Sequence, residues 1–590
     1  MRTSTSFTAW AFRLLSCATL AATALGLVGC RGLISGTSTG GNGGSGSGSG
    51  PFTLTVDTSG PIAGSVTSSP SGINCPGTCS ASFASGTSVT LSPASSDGTF
   101  TGWGGACSGT GSCTVQLSAN SSVTATFGAS LQSIKHIVFM VQENRSFDHY
   151  FGALRQYWAQ NGYPDQPFDG LPQFNNPPGP AATNPGCDPA FPFAPAPAPF
   201  NNCTIDSASP TITSYHLLTQ CVENPSPTWN EAHVDHNVNA PLSTDSTMDG
   251  FVKTAGHEVR ALEYNPGSNP PESDVDGIRA MGYYDGTDFP YYYFMASNFA
   301  TSDRWFSPIM TRTQPNREYL MAATSLGHVY PPPQTNFVRF TNKTIFEDLQ
   351  DANISWRVYV TDFDTGRGTL QEHTELGMYK FASQFPQNFV PATQFITDAQ
   401  NDTLPAVSEI DPGFAAGTDE HPGTTDLHPG ARVQDGAKYV ASLVNALMNS
   451  PSWKDTVFIL TWDEFGGFYD HVPPQAMPSA DGIAPVDLKP GDLCTGSTGP
   501  NCDLVFTGYR VPLIVISPFT KKNYVSHTVA DYTAILKLIE TRFNVPSLTA
   551  RDAAQMDMTE FFDFDSVPWM TPPTPPDQPT NLPCYMTHLP

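Results

Sequence analysis

The sequence predicts an α/β domain with a largely parallel sheet, preceded by a small all-β module. Ile137-Val138-Phe139-Met140-Val141, Val457-Phe458-Ile459-Leu460-Thr461-Trp462 and Pro512-Leu513-Ile514-Val515-Ile516 are short, continuous apolar runs. Such runs suit strands buried on both faces. Between and after them, Ala437 to Met448 and Tyr532 to Phe543 place apolar residues at helical spacing, and strands alternating with helices build an α/β layer. Before residue 130 the pattern differs. Phe52-Thr53-Leu54-Thr55-Val56, Ser88-Val89-Thr90-Leu91, Cys113-Thr114-Val115-Gln116-Leu117 and Ser122-Val123-Thr124-Ala125-Thr126-Phe127 alternate strictly between Gly/Ser/Pro turns, as half-buried strands do.

Taken in order, the chain begins with Arg2 and Arg13 flanking a polar start, then an apolar run from Leu14 to Val28. These are export-signal features, and the run is shorter than the ~20 residues a membrane-spanning helix needs. Leu27-Val28-Gly29-Cys30 resembles a bacterial lipobox, which implies lipidation of Cys30 and a membrane-anchored protein of the cell envelope, on the outer surface or in the periplasm. The expected division is a lipoprotein signal (1–30), a Gly/Ser linker (31–50), a β-repeat module (51–128) and a large domain (130–590). Within the module, Gly102-Trp103-Gly104-Gly105-Ala106-Cys107 resembles a β-repeat appended to bacterial surface proteins, which implies no chemistry; Trp103 reads as its core.

Setting aside Cys17 and Cys30 leaves ten of the twelve cysteines, an even number suited to disulfides in an oxidising compartment. Cys75 and Cys79, Cys107 and Cys113, and Cys494 and Cys502 each flank a tight turn and favour local bridges. Zinc is the competing reading of the first four. Cys187, Cys203, Cys221 and Cys584 have no partner assignable from sequence. Lys and Arg number 27 against 53 Asp and Glu, a net charge of −26. That repels a nucleic-acid backbone over long range and excludes it as a partner. An anionic substrate must instead be captured by a local metal or arginine.

Two of the apolar strands run directly into such groups. The first leads into Gln142-Glu143-Asn144-Arg145-Ser146-Phe147-Asp148-His149, the second into Asp463-Glu464-Phe465-Gly466-Gly467-Phe468-Tyr469-Asp470-His471. Ligands of open α/β sheets bind beyond the carboxyl ends of strands, and oxygen-rich ends suit a hard divalent cation. Either segment alone is equally a helix cap or a surface turn.

Together these segments resemble the bacterial phosphoesterase family that contains phosphatidylcholine-type phospholipases C and acid phosphatases. Further blocks follow in the family's order: Trp229 to His233 with Met248-Asp249-Gly250-Phe251; Met281 to Asp285 and Asp303, ending in Thr313-Gln314-Pro315-Asn316-Arg317; and His428-Pro429. The resemblance spans roughly 134–543 and implies an alkaline-phosphatase-like fold. It implies one divalent metal held by Glu143, Asn144, Asp463 and Glu464, and a hydroxyl nucleophile at Thr313. His233 and His428 map onto transition-state histidines; His421, in a similar setting, lacks the matching spacing. Arg317 and His471 are expected to bind substrate; a structural ion pair with an Asp is the competing role for Arg317, and an ordinary turn histidine for His471. The competing role for Thr313 is to cap the helix that Pro315 opens, with Thr311 as the alternative nucleophile. Thr228 and Tyr532 stand where many members have histidine, which puts substrate choice in doubt. The expected activity is hydrolysis of phosphate esters through a phospho-threonine, with phosphomonoesters and phospholipids both candidates. A non-catalytic adhesin with a degenerate large domain is the alternative of a different class.

Overall fold

The computed structural model describes residues 50–188, 203–262, 274–332, 340–362, 369–413, 417–422, 431–585 and 589. The export signal, Cys30, the linker and His428 lie outside the described residues. No helix among the described residues is long and apolar enough to cross a membrane.

From Phe52 to Gly128 the alternating sequence folds into two four-stranded sheets. Their inward positions, including Leu54, Val56, Val66, Val89, Leu91, Val123, Ala125 and Phe127, form a core of their own. Trp103 belongs to it, with its indole N–H donated to the Gly111 carbonyl at 2.9 Å. Disulfides join Cys75 to Cys79 and Cys107 to Cys113, which removes the zinc reading. Lys135, just beyond the module, ties back to it through an ion pair with Asp97 at 2.9 Å.

The large domain is built on an eight-stranded sheet. Its order is Phe389–Pro391, Trp356–Val360, Val407–Asp411, His136–Gln142, Thr456–Trp462, Leu513–Ile516, Ala300–Ser302 and Tyr524–Ser526. The first five strands are mutually parallel, and only Leu513–Ile516 runs against its neighbours. The three apolar runs are thus strands, and the Thr456–Trp462 strand is buried at every position. Both expected helices form, as Val433–Met448 and Ala534–Phe543. The first starts earlier than its apolar spacing suggests, because the Asp435 carboxylate accepts from the Arg432 N–H at 2.8 Å and closes the first turn. Val440, Leu443, Val444 and Leu447 from one helix and Ile535, Leu538 and Ile539 from the other join the core of the sheet.

The register of the central pair positions everything that follows. Gln142 stands opposite Trp462 in parallel pairing, so both strands end level and release Glu143 and Asp463 side by side. On the other flank Ile410 pairs with Met140, delivering Asp411 to the same edge. Three further disulfides close the chain: Cys494–Cys502 as expected, Cys187–Cys203 across the Pro-rich stretch, and Cys221–Cys584. Five disulfides among the described residues fit an exported protein.

Candidate active site

At the ends of the two central strands the chain turns sharply. Asn144 takes a positive φ of 65°, a conformation Asn tolerates better than most residues, and its N–H donates to Asp463 Oδ1 at 2.8 Å. Gly466 is required on the other side. Its φ is +68°, and a Cβ there would sit 2.4 Å from the Asn144 carbonyl oxygen. Its own N–H donates to Glu464 Oε2 at 2.6 Å. Glu143, Asn144, Asp463 and Glu464 are thereby brought together, all buried.

Thr313 joins them. It is the first residue of the helix Thr313–Ala322, and its hydroxyl donates to Glu143 Oε2 at 3.2 Å, an oxygen that also accepts from Asn144 Nδ2 at 2.7 Å. The capping position falls to Arg312, without a side-chain cap, so the Thr313 hydroxyl is not the helix cap. Thr311 is buried and donates its hydroxyl to the Val329 carbonyl at 2.6 Å, which leaves it unsuited to attack. Asn316 fixes the approach by accepting from the Ile309 N–H at 3.0 Å and donating to the Thr311 carbonyl at 2.7 Å. Arg317 is buried beneath this turn. It donates to Glu143 Oε1 and the Val141 carbonyl and pairs with Asp463 Oδ2 at 3.4 Å. The expected substrate-binding arginine is therefore bonded inward, as a counter-ion to the carboxylates.

One guanidinium does not balance this much negative charge. Burial, and Glu143 beside it, push the Asp463 carboxyl up to about 8 although Arg317 opposes the shift. Burial and Asp463 raise Glu464 well above the usual carboxylate range. Glu464 Oε1 is buried with no hydrogen-bond partner. Close-packed carboxylates with an orphaned oxygen are what a hard divalent cation would satisfy, so the residues present fit one.

The loop 419–421 adds a group passed over in the sequence. The Asp419 carbonyl accepts from the Glu143 N–H, and the Asp419 carboxylate accepts from the His421 N–H at 3.0 Å. Glu420 anchors the loop by accepting from Tyr150, Tyr292 and Trp462. His421 pairs with Glu223 at 3.5 Å. Burial alone would lower its imidazole, but Glu223, Asp419 and Glu143 lift it to about 9. The run Asp419-Glu420-His421 was the only sequence signal for it.

Two predicted histidines are placed elsewhere. His233 is fully buried, with its ring nitrogens against the carbonyls of Trp229 (2.6 Å) and Asn501 (2.9 Å). His471 turns into a second cluster, between Asp148 (2.6 Å) and Asp169 (3.0 Å). There Arg510, also fully buried, donates to Asp470 Oδ1 at 2.8 Å and Asp148 Oδ1 at 3.1 Å. Asp148, Asp470 and His471 have oxygens and nitrogens close enough to ligate an ion, as do His216, Asp285 and Asp288. In the first group Arg510 already supplies the cation.

The model of the Phosphoesterase family matches residues 134–546, most of the large domain. The chain belongs to the phosphoesterase family. As a phosphoesterase it is a hydrolase of phosphoric ester bonds. It is 31% identical to Phospholipase C B of Mycobacterium tuberculosis over 473 residues, 74% of this chain and 79% of that one. Similarity extends to the Hemolytic phospholipase C of Pseudomonas aeruginosa (27% identity, 74% of this chain and 56% of that one). It extends also to Non-specific phospholipase C5 of Arabidopsis thaliana (28% identity, 68% and 67%). A solved alkaline phosphatase superfamily protein from Vibrio parahaemolyticus overlaps 46% of this chain and 64% of that one. At 10% identity and a TM-score of 0.28 that likeness carries no argument. Nothing in these findings supports the adhesin alternative.

Proposed function

We propose that this phosphoesterase is a phospholipase C that cleaves phosphodiester lipids through a phospho-threonine at Thr313. The observation that carries the reading is the Thr313 hydroxyl, held at 3.2 Å from Glu143 at the head of a helix, within a buried excess of carboxylates. The relatives named phospholipase C favour the lipid diester over a phosphomonoester.

A divalent cation held by Glu143, Asn144, Asp463 and Glu464 would polarise the phosphoryl oxygens and acidify the Thr313 hydroxyl. The residues of the chain do the rest. The Thr313 oxygen attacks phosphorus while its proton passes to Glu143, the carboxylate it already contacts. Arg312, exposed beside Thr313 with no carboxylate at ion-pair distance among the described residues, faces the phosphate, as do the free N–H groups of the helix start. The bond from phosphorus to the glycerol oxygen breaks, and His421, a cation at neutral pH, protonates the departing alkoxide. Neutral His421 then takes a proton from water, whose oxygen attacks phosphorus; the bond from phosphorus to the Thr313 oxygen breaks, Glu143 returns its proton to that oxygen, and the phosphorylated headgroup leaves. His428, outside the described residues, keeps its proposed role as a transition-state histidine, whereas His233 has both ring nitrogens against carbonyls and is dropped.

The test is turnover of p-nitrophenylphosphorylcholine and p-nitrophenyl phosphate, with and without chelator, by wild type and Thr313→Ala. Chelator-sensitive turnover of the diester that is lost in Thr313→Ala is expected. Preference for the monoester with release of inorganic phosphate would replace the lipase with a phosphatase. Absence of turnover by folded, metal-loaded protein would overturn the reading. Anchoring through Cys30 belongs to the same proposal and is checked by palmitate labelling that disappears in Cys30→Ser.

A further inference from the structure

Where the loop of Ile483 and Val486 packs on Gly327, the fold leaves apolar side chains uncovered. Val486 is 57% exposed and Ile483 36%. Single exposed aliphatic residues are ordinary, but these two adjoin one another. Both pack on Gly327, where φ is +78° and a Cβ would lie 2.8 Å from Ile483 Cγ2 and 3.1 Å from Val486 Cγ1. The segment around Gly327 leaves the end of the Thr313–Ala322 helix and runs back towards its start, where the Val329 carbonyl accepts the Thr311 hydroxyl. The two apolar tips therefore stand on the segment that leads back to Thr311, two residues before Thr313.

This surface is rigid. The Val486 N–H donates to the Gly327 carbonyl at 2.9 Å. Asp487 accepts from the Val329 N–H at 3.0 Å and pairs with His328 at 3.1 Å. Just behind the tips, the Lys489 ammonium lies 4.1 Å from the Tyr330 ring centre, and the Tyr330 hydroxyl donates to Asp492. Apolar tips backed by a Tyr–Lys pair are the arrangement of an interfacial anchor, with the aliphatic groups among acyl chains and the amphipathic groups at headgroup level.

We infer that the rim formed by Ile483, Val486, Tyr330 and Lys489 docks the enzyme on a zwitterionic lipid bilayer. The inference rests on the phospholipid reading, since a soluble phosphate ester needs no such rim. The net charge of −26 selects the surface: an anionic leaflet repels a chain of this charge, whereas a phosphatidylcholine leaflet does not.

The test uses the full chain carrying Cys30→Ser, so that no acyl group contributes, with and without Ile483→Asp and Val486→Asp together. Co-sedimentation with phosphatidylcholine vesicles is measured in a Thr313→Ala background that spares the lipid. The double substitution should weaken sedimentation and vesicle hydrolysis by about tenfold. Turnover of soluble p-nitrophenylphosphorylcholine should stay within about twofold, which also reports an intact fold. Undiminished sedimentation and vesicle hydrolysis in the double variant would overturn the inference, and so would equal binding of the parent to phosphatidylglycerol vesicles. If soluble turnover is absent from the parent itself, the phospholipase reading has failed, and sedimentation still decides the docking surface. Ile483→Ser with Val486→Ser serves as the milder pair if the aspartates disturb folding.

Discussion

The segments following the two central strands each contribute to two buried acidic clusters, a few residues apart. Glu143 and Asp463 share one arginine, Glu464 Oε1 is left without a partner, and the Asp463 and Glu464 carboxyls are held far above the normal range. Asp148 and Asp470 are instead spanned by Arg510, with His471 bridging Asp148 to Asp169 and Arg304 pairing with Asp169 at 2.7 Å. Residue types and burial are alike, and only the degree of neutralisation differs. Ligand spacing alone would choose the Asp148 cluster as a metal centre. Charge balance supports the proposed site at Glu143, Asp463 and Glu464 instead, because a buried excess of one sign persists only where something else completes it.

The largest expected contrast is in turnover. Thr313→Ala should lower kcat by about ten-thousand-fold, with Arg510→Gln costing far less per folded molecule; comparable losses in single-turnover assays would erase the distinction. Stability should answer in reverse. Arg510→Gln strands two buried carboxylates and should cost about 3–5 kcal/mol in denaturant unfolding; a shift under 1 kcal/mol would deny Asp148 and Asp470 their structural role.

The second cluster should also govern the response to pH. Burial would lower the His471 imidazole, but Asp148 and Asp169 raise it to about 9. A group raised on folding stabilises most below its unfolded value near 6.5, and its contribution fades as pH climbs through about 9. Unfolding free energy should therefore fall by up to about 3 kcal/mol across that window, a slope that His471→Asn should flatten. The smallest effect carries the opposite sign. Glu464→Gln removes a carboxyl that burial and Asp463 keep from ionising and should stabilise the chelated protein by about 1 kcal/mol while abolishing metal-dependent turnover. Destabilisation there would show that the carboxylates are balanced after all.

What the sequence disclosed depended on how local each feature is. Continuous apolar runs marked the three strands, and residues abutting their ends marked Glu143, Asn144, Asp463 and Glu464. Arg510 was invisible because its partners lie 40 and 362 positions away. The same distance hid the true surroundings of His471, whose Asp169 partner is 302 residues distant. His233 matched a motif, yet its partners are fixed by helix geometry and by the carbonyl of Asn501, on the loop closed by Cys494–Cys502. His421 was set aside on spacing, whereas what places it is the backbone pairing of Asp419 with Glu143.

The β-module enters the large domain at Lys135, where the first central strand begins, and Thr313 answers at the edge where that strand ends. Seven residues of extended chain, roughly 23 Å, separate the module from the proposed site, at opposite ends of one strand. The Thr313 site therefore opens at the end of the strand that lies farther from the module.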